Sequence, residues 1–172
     1  MKPLKSLIAA LFISLILISG GFNIASAQET NVDSYELFWP LVAGKTLGEP
    51  LYFLKTFKEN IREIIIVGNA QKADYNVLLA TKRILEAEKL INQGKINEAK
   101  KSLETAKIRI DKAEKGIVIS KSSGELDVVS QNLNNQLTNI ATFTDWLSGK
   151  NNETRDLLLN INEKASSLLT KI

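Results

Sequence analysis

The chain of 172 residues contains neither cysteine nor histidine. That removes disulfides, thiol nucleophiles, catalytic imidazole and nearly every zinc site together. Proline occurs three times, glycine nine times, and aromatics make up 6% of residues, a composition that suits helices better than sheets. Excess charge of one sign is also missing. A formal charge of +3 is too small to imply a nucleic-acid partner, and Lys and Glu are interspersed rather than blocked. With 44% hydrophobic and 24% charged residues, the chain can bury one sizeable core, so a single domain is expected.

What is present is a long alternation of small and large residues across 70–117, broken by a turn at Asn92-Gln93-Gly94-Lys95. Alanine falls at every seventh residue before the turn (Ala73, Ala80, Ala87) and after it (Ala99, Ala106, Ala113). Val77, Ile84 and Ile91 interleave on one side, and Ile96, Leu103, Ile110 and Ile117 on the other. This three-and-four spacing is the seam of a coiled coil, and it predicts two antiparallel helices. Pairing positions whose numbers add to 190 sets Ala87 against Leu103, Ile84 against Ala106, Ala80 against Ile110 and Ala73 against Ile117. Each small residue then faces a large one, so the pattern specifies register as well as burial.

The first 27 residues read as a targeting segment. Lys2 and Lys5 precede an apolar run over 7–18, and Ala25-Ser26-Ala27 gives a small-x-small cleavage pattern before Gln28. Cleavage is expected, with an uncleaved N-terminal membrane anchor as the alternative. Either places the body of the chain outside the cytoplasm. Residues 28–49 read as an irregular segment whose aromatics, Tyr35, Phe38 and Trp39, either fold back over the bundle or form an interaction patch. Pro50 then opens a helix with a stripe of Leu51, Leu54, Ile61 and Ile64; the β-branched run at 64–67 is expected to stay helical and buried.

Leu37-Phe38-Trp39-Pro40, Pro50-Leu51-Tyr52-Phe53-Leu54-Lys55, Lys58 to Glu63, Lys72 to Asn76, Arg83, Glu86-Ala87-Glu88 and Gly94-Lys95 follow one another in an ordered series. In these pieces the chain resembles a family of exported bacterial helical domains of unknown function. Its members open on Pro-Leu-Tyr-x-Leu-Lys and continue into an alanine-rich hairpin. The resemblance covers 35–115 and implies fold and export; it implies no catalytic residue.

Beyond the hairpin, Ser122 with Glu125 reads as a capping box for a helix carrying Leu126, Val129, Leu133, Ile140, Phe143 and Leu147, with Gln136 in the remaining core slot. A last helix beginning near Asn151 carries Leu158, Ile161, Ala165, Leu168 and Ile172. Candidate chemistry is sparse. The lysines over 95–115 alternate with acids, and Asp111 and Lys115 are spaced to pair as a solvated face. Glu86 and Glu88 do not share a helix face, and the amides of 131–139 would suit a sugar or peptide but more often line a solvated helix.

The reading is an all-α, elongated helical bundle of about five helices, built on antiparallel coiled-coil-like hairpins. Its parts are a signal peptide at 1–27, an irregular aromatic segment at 28–49, a first helix plus core hairpin at 50–123 and a C-terminal hairpin at 124–172. The function expected is an exported, non-enzymatic interaction or structural scaffold, with a binder of a small polar or anionic ligand as the alternative. No catalytic, metal or cofactor residue is assigned. A protein partner or self-association is expected, peripheral membrane contact is left open, and nucleic acid is not expected.

Overall fold

A left-handed glycine ends each of the two longest helices. The computed structural model describes residues 31–172, and among these it holds six helices and no strand. They are α1 (Ser34–Phe38), α2 (Tyr52–Ile65), α3 (Asn69–Asn92), α4 (Ile96–Ser123), α5 (Asp127–Ser148) and α6 (Arg155–Leu169). Gly94, at φ 72°, lets the Lys95 N–H donate to the Leu90 carbonyl and its own N–H donate to the Ile91 carbonyl, both at 2.9 Å. Those bonds satisfy carbonyls left over at the end of α3 and turn the chain into α4. Gly124, also at φ 72°, acts likewise after α4, with the Glu125 N–H on the Ser120 carbonyl at 3.0 Å.

The α3–α4 hairpin carries much of the core. Ala73, Val77, Ala80, Ile84 and Ala87 on α3 are buried with Ala99, Leu103, Ala106, Ile110, Ala113 and Ile117 on α4; Ile91, beside the turn, is half-buried. Small residues let the helices close until backbone meets backbone. A Cβ added at Gly116 would lie 2.9 Å from both the Ala73 Cβ and the Asn69 carbonyl oxygen. That contact falls within one residue of the Ala73–Ile117 pairing read from the seam.

The second hairpin adds Leu133, Leu137, Ile140, Phe143 and Leu147 of α5, with Leu158, Ile161, Ala165 and Leu168 of α6, to the same apolar cluster. Leu137, not Gln136, fills the slot between Leu133 and Ile140. The reason is the cost of burying an amide without partners: Gln136 stays half-buried and donates to Asp74 at 2.9 Å instead. The hairpins lie side by side, α3 beside α5 and α4 beside α6. Lys100 with Glu153, Asp111 with Lys164 and Glu114 with Lys171 pair at a nearly constant offset, so α4 and α6 run parallel.

Several local expectations differ from this structure. The segment 28–49 is not wholly irregular. The Asp33 carboxylate accepts from the Tyr35 N–H at 2.8 Å and caps the five-residue α1, a short helix ahead of the five longer ones. The run at 64–67 is neither wholly helical nor buried: α2 stops at Ile65, Ile66 is extended, and Ile64, Ile65 and Val67 are exposed. A β-branched run favours extended backbone once helix packing does not hold it. Ser122 lies inside α4, bonded to the Ile119 carbonyl at 2.7 Å, so it caps nothing downstream. Asp111 pairs across to Lys164 rather than along its helix to Lys115. The leader reading of 1–27 falls outside the described residues.

Candidate functional site

α2 has two distinct faces, and it docks the opposite way from an ordinary surface helix. At about 100° per residue, Phe53, Leu54, Phe57, Ile61, Ile64 and Ile65 share one face, while Tyr52, Lys55, Glu59 and Glu63 share the other. The apolar face looks into solvent: Phe53 is 64% exposed, Phe57 63% and Ile64 80%. The helix buries one residue, Glu59.

Its polar face lies antiparallel along α3 in three steps. At the first, the wholly buried Glu86 carboxylate accepts from Lys55, from Arg83, from the Tyr52 hydroxyl at 3.1 Å and from the Ser102 hydroxyl of α4 at 3.3 Å. At the second, Arg83 also donates to Glu59, and the Tyr75 hydroxyl donates to the Glu59 carbonyl at 3.2 Å. At the third, Glu63 accepts from Arg109 at 2.5 Å, Asn76 at 3.2 Å and Lys112 at 3.3 Å. The loop ahead of α2 is tied to the same place. Lys55 donates to the carbonyls of Ala43 at 2.5 Å and Lys45 at 3.0 Å, and Lys89 donates to that of Gly44 at 3.0 Å.

The electrostatics follow from this enclosure. Burial, and then the Glu86 charge, push the Tyr52 hydroxyl up to about 12. Burial opposes the charge on Arg83, but Glu86 and Glu59 outweigh it and raise its pKa. Burial likewise works against ionised Glu63, yet hydrogen bonds from Arg109 and Asn76 hold it below the ordinary value. Lys82, 3.7 Å from Glu59, is pulled down by burial despite that carboxylate. Four donors converge on Glu86, and the network acts as a polar clamp for α2 in which Glu59 Oε1 is buried without a hydrogen bond and faces Lys82 at 3.7 Å. Among the described residues no group of three or more acids is placed to hold a metal ion.

A cleft of about 360 Å³ opens along one edge of α2, lined by Lys55, Lys58, Glu59, Arg62, Tyr75 and Lys82. The Arg62 guanidinium stands 5.2 Å from the centre of the Tyr75 ring. Lys58 and Arg62 are exposed, between this cleft and the apolar face.

The aromatic residues singled out in sequence are divided. Phe38 is buried, edge-on to Phe143 at 5.4 Å, whereas Tyr35 and Trp39 are 54% and 64% exposed and pair with each other at 4.7 Å. The expectation that the segment folds back describes Phe38 and not Trp39, because a single turn of helix can turn only one side inward. Trp39 stands beside a groove of about 310 Å³ whose other wall carries Asn132, Asn135, Gln136 and Asn139 of α5. The Asn139 amide donates to the Leu37 carbonyl at 2.8 Å, and Asn132 donates to Asp74 at 2.6 Å.

The clamp was missed in sequence, though its signal is there: Lys55, Glu59 and Glu63 recur every fourth residue on α2, and Arg83 and Glu86 leave the α3 seam side by side. No curated protein and no solved structure matches the chain. The profile of a family described as a domain of unknown function, DUF5667, matches residues 44–167, from the loop ahead of α2 almost to the end of α6. This span is longer than the resemblance read over 35–115, and it speaks to the family alone, not to export or source. With most of its length matched, the chain belongs to the DUF5667 family.

Proposed function

We propose that the protein is a non-enzymatic interaction scaffold, exported to the cell envelope, that docks through the outward face of α2. The observation that carries this reading is the inversion of that helix. Leaving a large apolar side chain in water forgoes about 1.5–3 kcal/mol relative to burial, and α2 leaves six of them out on one face. Monomers rarely expose contiguous apolar patches on this scale unless a partner covers them. The buried charges on the other face position the helix: Glu59 and Glu63 are spent on Arg83 and Arg109 of the bundle. Export rests on the leader pattern at 1–27. The test is a photo-crosslinking amino acid at Ile64, in intact cells, against the same probe at the exposed Glu163 of α6. An adduct at position 64 and none at 163 is expected. Absence of any adduct along α2 contradicts the docking role.

A second reading has its own observation. Trp39 beside the side-chain amides of α5 offers a stacking face and hydrogen-bonding groups to a small polar ligand such as a sugar. Titration with mono- and disaccharides, followed by Trp39 fluorescence, tests it. A saturable change lost in Trp39→Ala supports the groove as a site, and a flat titration removes it.

A further inference from the structure

We infer that the surface α2 docks on is an anionic phospholipid membrane, with the helix lying flat in the interface. The inference rests on the docking role proposed above and names its partner. Three features of the helix point to lipid rather than protein.

The first is where its charges go. Both acids of α2, Glu59 and Glu63, turn inward and are paired with Arg83 and Arg109. The cations Lys58 and Arg62 stay outside, next to the apolar arc. The outward side of α2 therefore shows apolar side chains and positive charge, with no carboxylate of its own among them. An apolar face bordered by Lys and Arg is the form that binds at the headgroup–acyl boundary of anionic bilayers.

The second is the cleft behind that border. Lys55, Lys58, Arg62 and Lys82 gather there around one carboxylate, Glu59, which Arg83 already holds. Lys55 is taken by Glu86. Lys82 faces Glu59 at 3.7 Å, so Lys58 and Arg62, both exposed, remain at the rim to meet lipid phosphates when the apolar face is seated.

The third is length. The 14 residues of α2 span about 21 Å, short of the roughly 30 Å hydrocarbon core of a bilayer. No helix among the described residues is long and apolar enough to cross a membrane. A short helix with its apolar side outward and its back clamped to a bundle can lie on a bilayer but not span it. A second copy fits less well. Antiparallel two-fold pairing of α2 about its middle sets Lys58 of one copy near Arg62 of the other, and no acid of the helix is left outside to offset them.

The experiment uses a reporter on the helix itself, so that the apolar run at 7–18 does not confuse it. Phe57→Trp, with Trp39→Phe and Trp146→Phe, places one indole on the outward face; Phe53→Trp gives a second reporter if the first impairs folding, which circular dichroism checks. Vesicles of phosphatidylcholine alone and of phosphatidylcholine with phosphatidylglycerol are then added. With the anionic vesicles the emission is expected to move to the blue and to be quenched by lipids brominated on the acyl chain. Lys58→Gln and Arg62→Gln should each weaken partitioning about fivefold. No blue shift with anionic vesicles overturns the inference. A blue shift in buffer that grows with protein concentration also overturns it, in favour of a second copy, and leaves the docking role standing. Silence towards vesicles together with a protein adduct from position 64 assigns the face to a protein partner. Silence in both removes the docking role as well.

Discussion

Arg83 of α3 and Glu59 of α2 form an ion pair in which both side chains are nearly closed to solvent, at 3% and 7% exposure. The same guanidinium donates to the buried Glu86 and, at 2.9 Å, to the Tyr52 hydroxyl, so one side chain ties α2 to the bundle at two levels. Arg83→Ala would leave two carboxylates without their main partner in a site water does not reach. The expected cost is about 3–5 kcal/mol in urea denaturation. Arg83→Lys should recover only part of it, because an ammonium cannot bridge both acids as a planar fork does. A loss below about 1 kcal/mol for the alanine variant would mean that the pair is solvated.

The close approach of Gly116 to Ala73 fixes the hairpin register, and a mutant cycle tests it two turns further in. Ala80→Ile should force methylenes into a filled gap and cost about 1–3 kcal/mol. Ile110→Ala should leave a cavity and cost about 2–5 kcal/mol. Together they move the large residue across the interface, so the double variant should lose less than the sum, with a coupling of order 1 kcal/mol. Simple additivity would place these residues out of contact.

Acid should loosen α2 and the loop before it. Hydrogen bonds from Thr46 and Lys89 lower Glu49 from its ordinary 4.5 to about 2. Between these values the folded chain holds fewer protons than the unfolded one. The Glu49 contribution is therefore complete above about pH 4.5 and is lost as the pH falls towards 2. Glu63, also lowered, adds in the same direction. Stability measured from pH 6 down to 2 should fall, and Glu49→Gln should flatten that fall. An unchanged slope in the variant would show that the Thr46–Glu49–Lys89 contact does not persist in solution.

Trp39 should report its exposure directly. With Trp146→Phe isolating the signal, native emission should resemble that of indole in water and move little on unfolding. A blue native spectrum would place Trp39 in the core beside Phe38.

The parts of the fold that were legible in sequence are those where one physical demand acts alone. Alternation of Ala with Ile, Val and Leu along 73–117 answers only to packing, so the spacing of its buried residues could be read directly. α2 was harder, because its apolar stripe by itself says "buried". What reverses it is the matching of Lys55, Glu59 and Glu63 to Arg83, Glu86 and Arg109, residues distant in sequence whose pairing exists only once the hairpin has formed. Gln136 and Leu137 show the same limit on a smaller scale. Heptad spacing admits either one, and the position of Asp74 on another helix decides between them. Asp33 was passed over because a helix of five residues leaves no periodicity to find.

The central claim is that α2 is held by its charged face and presents its apolar face outward. Chemical denaturation of Phe57→Ser and Glu59→Ala tests it most directly, since an ordinary amphipathic helix gives the opposite ranking. The account predicts that Phe57→Ser stays within about 0.5 kcal/mol of the parent, as exposed substitutions do. Glu59→Ala should lose about 3 kcal/mol, because it leaves the buried Nη2 of Arg83 without its carboxylate while Nη1 stays on Glu86. A Phe57→Ser variant that loses about 3 kcal/mol while Glu59→Ala is neutral would show that α2 packs by its apolar face, and would contradict both the clamp and the surface it presents.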